Sequence, residues 1–168
     1  MKSIKVVIIG LENSGKTSLL KAVSKNEGLL ITPTLGFNIG ELNFDKSKGI
    51  VFEIGGKSKH LWKNYVPKSS VVIFVIDSSD VTHNVILKQE LEALVGVLES
   101  SSLLIFLLNK IDKKDCMSVN QFIEEFRIFD MFANDMFLQS VSAIDGTGVG
   151  VLMKKINHFL KIPIISIN

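Results

Sequence analysis

Cysteine is nearly absent: Cys116 is the one thiol in 168 residues. That excludes an intramolecular disulfide framework and a cysteine-rich zinc site, and it fits a reducing, cytoplasmic setting. Three prolines, none in a Pro/Gly-rich stretch, leave no collagenous segment or linker. Charge of one sign is also lacking. Nineteen Lys and Arg against seventeen Asp and Glu give a formal +2, too little for the broad cationic footprint of a nucleic-acid binder, so no nucleic acid is expected as a partner. No apolar run approaches the ~20 residues that cross a bilayer. Met1-Lys2-Ser3 shows neither a secretory signal nor the glycine that myristoylation takes, and residues 162–168 hold no cysteine for prenylation. Neither a transmembrane segment nor a lipid anchor is therefore expected. His60, His83 and His158 lack metal-ligand spacing, and nothing flanking Cys116 would make it reactive.

Apolar residues make up 46% of the chain, with eleven Phe, enough to fill the core of one domain spanning residues 1–168. β-Branched apolar runs alternate with amphipathic stretches, the pattern of parallel strands joined by crossover helices. Strands are predicted over residues 4–9, 38–44, 50–54, 71–77, 103–109 and 136–141, and helices over 15–25, 84–99, 118–129 and 148–160. Strands 38–44 and 50–54 form a hairpin about a turn at 45–49. The expected class is α/β: a six-stranded, mainly parallel sheet with one antiparallel edge strand and helices on both faces. Residues 26–36 and 55–68 are left as irregular loops, where function concentrates.

Gly10-Leu11-Glu12-Asn13-Ser14-Gly15-Lys16-Thr17 matches the phosphate-loop pattern G-x-x-x-x-G-K-[ST]. Glycines clear the way for backbone N–H groups to converge on phosphate oxygens at a helix N-terminus. Lys16 then reaches the β and γ phosphates. Thr17 can place its hydroxyl on Mg²⁺, which prefers hard oxygen ligands, and Ser18 follows as a further nucleotide-binding residue. The alternative is a chance match in a glycine-containing turn, but an apolar strand before and a helix after are what the mechanism requires.

Asn109-Lys110-Ile111-Asp112 follows the strand 103–109, at the sheet edge where α/β proteins bind ligands. An Asp carboxylate there accepts the ring N–H and the exocyclic amine of guanine, whereas adenine offers no matching donor pair. The Lys110 stem can lie over the base, and Ser142-Ala143 can offer a backbone N–H to the guanine carbonyl. Alone, this tetrapeptide reads more readily as a solvated turn; behind a phosphate loop it reads as a guanine site.

With these residues the chain resembles the Ras superfamily of small GTPases over nearly its whole length, and within it the Arf and Arf-like branch. Thr32-Pro33-Thr34-Leu35-Gly36-Phe37-Asn38 is similar to that branch's switch I, and Trp62-Lys63-Asn64-Tyr65 to its segment after switch II. The resemblance implies a GTP/GDP switch using Mg²⁺. In it Thr34 is a second direct metal ligand and γ-phosphate reporter, Glu12, Asn13 and Ser14 provide loop amides, and the Gly56 N–H meets the γ-phosphate. Phe37, Phe52 and Tyr65 correspond to the surface that effectors read, with ordinary core packing as the other reading. The resemblance further implies effectors, an exchange factor and a GTPase-activating protein. It also implies a monomer, cytoplasmic or peripheral at membranes, with a role in membrane or ciliary traffic.

Where the branch carries Asp-x-Gly-Gly-Gln, this chain has Glu53-Ile54-Gly55-Gly56-Lys57. Glu53 keeps a carboxylate that can contact Mg²⁺ through water. Lys57 stands where Gln orients the attacking water, and an ammonium has three donors but no acceptor. Intrinsic hydrolysis is therefore expected to be very slow, with no catalytic residue in the chain. The one arginine, Arg127, falls on the predicted helix 118–129, away from both switch loops, so any arginine finger, worth ~10³–10⁵ in rate, comes from a partner. The loop between Gly56 and Trp62 is shorter than in most relatives, and within these 168 residues no counterpart is expected for the amphipathic helix that usually precedes the first strand. Lys57, Lys59, His60, Lys63 and Lys68 make switch II basic, which reads as a solvated face. Residues 162–167 either pack against a partner or membrane, or against their own domain. Two function classes stand: a nucleotide-dependent switch, and a scaffold held in one state because Lys57 blocks turnover. A P-loop kinase or ATPase is disfavoured by Asn109-Lys110-x-Asp112.

Overall fold

The computed structural model describes residues 4–24, 32–34, 36–44 and 47–161, with the side chains of 32–34, 47 and 161 outside that set. In chain order these are β1 (Ile4–Ile9), α1 (Lys16–Ser24), β2 (Thr32–Thr34), β3 (Phe37–Phe44), β4 (Ser47–Ile54) and a 3₁₀ helix (Gly56–Leu61). Then come α2 (Trp62–Tyr65), β5 (Val71–Asp77), α3 (Asn84–Val95), β6 (Leu103–Asn109), α4 (Val119–Phe126), α5 (Ile128–Met131), β7 (Met136–Ser140) and α6 (Val149–Lys161). One sheet runs β2-β3-β4-β1-β5-β6-β7. β4, β1, β5, β6 and β7 are parallel, and β3 runs antiparallel to β4 and β2.

Strands covered on both faces read as near-continuous apolar runs, and β1, β5 and β6 do, apart from Lys5 and the polar ends Asp77 and Asn109. Val7, Ile9, Val72, Phe74, Ile76, Leu104, Phe106 and Leu108 face one core with Trp62, Leu91, Leu94 and Phe122. Val6, Ile8, Val71, Ile73, Val75, Leu103, Ile105 and Leu107 face the other with Leu19, Leu20, Leu152 and Ile156. The alternation along each strand thus sends α3 and α4 to one side and α1 and α6 to the other.

The six expected strands are present, and a seventh, β2, pairs outside β3, which makes β3 an interior strand instead of the edge. Pro33 lacks a backbone donor, a lack that an edge position tolerates. The hairpin is longer than expected, because β4 begins at Ser47, which pairs with Phe44. Gly49, read as part of the turn, lies in the strand beneath the Phe44 ring, where a Cβ would come within 2.7 Å of a ring carbon. The helix expected over 118–129 breaks at Arg127, which is left-handed at φ +50°. Phe122, Phe126, Ile128 and Phe132 are all buried, and the two-residue step from 126 to 128 cannot point inward twice on one continuous helix. Arg127 itself pairs with Asp130 at 2.7 Å in solvent, far from the loops at issue. The stretch read as irregular over 55–68 contains the 3₁₀ helix and α2, pinned by buried Trp62 packed edge-on against Phe74. The expectations for residues 26–31 and 162–167 lie outside the described residues.

Candidate nucleotide-binding site

From β1 the chain passes outward to β4 on one side and to β5 on the other, so β1 lies at the topological switch point where α/β sheets bind ligands. The loop from Gly10 to Gly15 leaves β1 there and opens α1. Neighbouring strand ends bring Glu53 (β4), Asp77 (β5) and Asn109 (β6) to the same edge.

Within the loop, Lys16 is 6% exposed and its ammonium donates to Leu11 O at 2.7 Å. Burial holds its pKa below the usual lysine value, against the opposing pull of Glu53 and Glu12. A buried ammonium beneath converging loop amides is the arrangement that an anionic ligand completes. Gly15, at φ +96°, lies so close to Asn109 that a Cβ would meet its Nδ2 at 2.2 Å. Asn109 is 2% exposed; its Nδ2 donates to Ser14 O at 3.0 Å, and its Oδ1 accepts from the Ala143 N–H at 3.0 Å. One side chain therefore ties the phosphate loop to the segment after β7. The Ser14 hydroxyl is buried beside them without a hydrogen-bond partner among the described residues.

On the expected base side, Asp112 is exposed and accepts from the Ser142 hydroxyl at 2.8 Å. The two backbone N–H groups expected near the guanine carbonyl have partners within the chain: Ser142 N–H donates to Thr147 O at 3.0 Å and Ala143 N–H to Asn109 Oδ1 at 3.0 Å. Ser142 can instead act through the hydroxyl that aims Asp112. Lys110, left-handed at φ +70°, turns its ammonium to Asp77 at 2.6 Å while its stem runs beside Gly15. Partial burial opposes ionisation of Asp77, but hydrogen bonds from Lys110 and Ser79 outweigh it and hold the carboxyl below its usual range. Sequence reasoning missed Asp77, although its place at the end of an apolar strand was a usable signal.

On the metal side, the Thr17 hydroxyl donates to Glu53 Oε1 at 2.7 Å, and Asn38 Nδ2 donates to Glu53 Oε2. Glu53 is 4% exposed, and Asn38 sits directly opposite it in the β3–β4 register. One carboxylate thus spans both partners, its two oxygens each accepting one hydrogen bond. Among the described residues no group of three His, Cys, Asp or Glu could hold a metal. The Thr17 hydroxyl, with its proton given to Glu53, keeps an oxygen lone pair that fits a hard cation such as Mg²⁺, whose shell phosphate and water would complete, with Glu53 acting through water. The Thr34 side chain lies outside the described residues; its backbone ends β2.

Gly56 packs on the phosphate loop so closely that a Cβ would lie 2.3 Å from Glu12 N. Lys57 follows, its ammonium 3.4 Å from Glu12 Oε1. Phe37, Phe52 and Tyr65 form one half-buried cluster with ring centroids 5.0–6.4 Å apart, resting on the core that contains Trp62. Lys5 Nζ stands 5.8 Å from the Phe52 centroid. The trio is thus both packed on the core and partly open to solvent.

A strand, a glycine-cleared loop opening a helix, a buried lysine and a braced Asn-Lys-x-Asp edge define a P-loop nucleotide-binding domain. The sequence matches the profile of the ADP-ribosylation factor family over residues 1–160. It is similar to ADP-ribosylation factor-like protein 5A of Homo sapiens, 32% identical over 149 residues covering 86% of this chain and 83% of that protein. It is also similar to ADP-ribosylation factor-like protein 2 of Dictyostelium discoideum, 32% identical over 152 residues covering 88% and 82%. The Arl6 BBS3 small GTPase from Trypanosoma brucei, solved with the bound nucleotide analogue GppNp, superposes with a TM-score of 0.80. The two are 26% identical, and the match covers 94% of this chain and 98% of that one. The chain belongs to the ADP-ribosylation factor family of small GTPases.

Proposed function

We propose that this protein binds GTP and GDP with Mg²⁺ and acts as a nucleotide-dependent switch whose intrinsic hydrolysis is very slow. The observation that carries this reading is the Asn109 brace, which makes the phosphate loop and the base-reading edge one rigid unit. The solved relative's analogue supports it. Gly10, Leu11, Glu12, Asn13, Ser14, Gly15, Lys16, Thr17 and Ser18 serve the phosphates, and Asn109, Lys110, Asp112, Ser142 and Ala143 the base. Thr17 and Thr34 hold the metal directly and Glu53 through water; the metal neutralises charge on the β and γ phosphates. γ-Phosphate contacts from Thr34 and Gly56 order the two switch segments and present Phe37, Phe52 and Tyr65 to effectors. An exchange factor and a GTPase-activating protein complete the cycle, with the protein acting as a cytoplasmic monomer, peripheral at membranes. Within the family, Glu53 to Gly56, the short switch II and residues 109–117 resemble ADP-ribosylation factor-like protein sixteen.

The test is single-turnover phosphate release from protein preloaded with γ-labelled GTP and Mg²⁺, beside a Lys57→Gln variant. Wild type should hold GTP for many hours and the variant should hydrolyse faster. An ordinary small-GTPase rate in wild type would sink the donor-only argument for Lys57. Failure of both proteins to turn over GTP, even with a GTPase-activating partner, would favour the nucleotide-stabilised scaffold. Competition by ATP equal to that by GTP would remove the guanine assignment.

A further inference from the structure

Among the described residues, Lys16, Lys110 and Lys59 are each committed to a close partner. Lys16 is buried on Leu11 O, Lys110 holds Asp77 at 2.6 Å, and Lys59 holds the largely buried Glu90 at 2.8 Å. Lys57 differs: its partner Glu12 is 3.4 Å away, and the two side chains are 82% and 57% exposed. A pair so loose and so solvated is easily exchanged for a better acceptor. The backbone beneath it is not loose, because Gly56 is pressed on Glu12 with no room for a Cβ. Lys57 is therefore a mobile cation on a fixed base at the loop mouth. It has space to swing, since Glu12, Gly56 and Lys57 line a cavity of about 350 Å³ that extends to α3.

We propose that the Glu12–Lys57 pair is a triphosphate-sensitive latch, with Lys57 resting on Glu12 when GDP is bound and passing to the γ-phosphate of GTP. This rests on the reading of the site as a GTP/GDP site and adds a basis for discriminating between the two. A γ-phosphate arriving at the loop mouth carries about two negative charges, as phosphate monoesters do, and it meets the like charge of Glu12. An ammonium with three donors can leave that carboxylate, or bridge it, to bind the phosphate oxygens. Lys57 thus favours triphosphate over diphosphate and Glu12 opposes it. The residue that cannot position water instead reaches the γ-phosphate from a backbone that stays seated on the loop, which gives its side chain two nucleotide-dependent positions.

The test uses the full chain with Mg²⁺ and compares dissociation constants for GDP and non-hydrolysable GppNp, so hydrolysis does not enter. For Lys57→Gln the preference for GppNp over GDP should fall about two- to fivefold, as loss of one exposed charge contact predicts. Lys57→Arg should retain the preference, and Glu12→Gln should raise it severalfold. The wild-type preference should shrink as salt rises. Equal weakening of both nucleotides by Lys57→Gln, an unchanged ratio, or a lowered ratio in Glu12→Gln overturns the latch while leaving the nucleotide site standing. If wild type binds neither nucleotide, the GTP reading falls and the latch with it. Lys57 is too exposed for its substitution to threaten folding.

Discussion

Removing the Asn109 amide should unseat the phosphate loop before any nucleotide is present. Its neighbours fix its orientation, because the Ser14 carbonyl can only accept and the Ala143 N–H can only donate. Asn109→Ala leaves both buried groups unpaired at ~1–3 kcal/mol each, a total of about 2–6 kcal/mol. Water entering the vacated space would pull the figure toward the lower end. At roughly 2–4 °C per kcal/mol for a domain of this size, the melting point should drop by about 5–20 °C. Asn109→Asp is the sharper variant: it keeps the acceptor for Ala143 but sets an oxygen against the Ser14 carbonyl, and it should cost at least as much as Ala. The assay is urea unfolding of the nucleotide-free protein followed by the emission of Trp62, the one tryptophan, which is buried on Phe74. If Asn109→Asp unfolds at the wild-type urea concentration, the bond to Ser14 does not hold the loop and the brace argument fails.

Other substitutions probe the remaining contacts. Asp77 has a folded pKa below its unfolded value of 3.8, so its pairing with Lys110 and Ser79 adds stability above that pH and loses it as pH falls through the lower folded value. Asp77→Asn should therefore cost about 1–3 kcal/mol at pH 7, with the gap to wild type narrowing by pH 3; urea curves showing an equal gap at both pH values would refute the assignment. Ser142→Ala frees Asp112 from its hydroxyl donor and should lower the guanine-over-adenine preference by about tenfold, the loss of one charge-assisted hydrogen bond; a preference identical to wild type in nucleotide competition would remove Ser142 from base recognition. Gly56→Ala drives a methyl into the Glu12 backbone and should cost about 1–3 kcal/mol, read as a lowered melting point; an unshifted melt would show that the 3₁₀ helix does not bear on the loop.

What was legible in the sequence was local. Gly10 to Thr17 carries its own requirements for glycine, lysine and hydroxyl at fixed offsets, and β1, β5 and β6 declare themselves as apolar runs because both their faces are covered. What was not legible was pairing across the chain. Asn38 meets Glu53 because β3 and β4 align in one particular register, and a one-residue slip of β3 would have turned Asn38 to the opposite face from Glu53. The three-residue β2 carries too little pattern to register as a strand. At Arg127 the sequence did hold the signal, a two-residue step in the apolar spacing from Phe126 to Ile128, which helical propensity alone overrides.

The Glu12–Lys57 contact joins both lessons. Lys57 departs in a readable way from what its position needs, a donor-only side chain where an acceptor is required, and the fold sets the Glu12 carboxylate beside it. Together, at 3.4 Å, they cancel one another's charge, so neither can be judged without the other. The pair forms only because Gly56, at the end of the β4 segment, closes on the loop that follows β1, and the parallel β1–β4 register brings those two segments side by side.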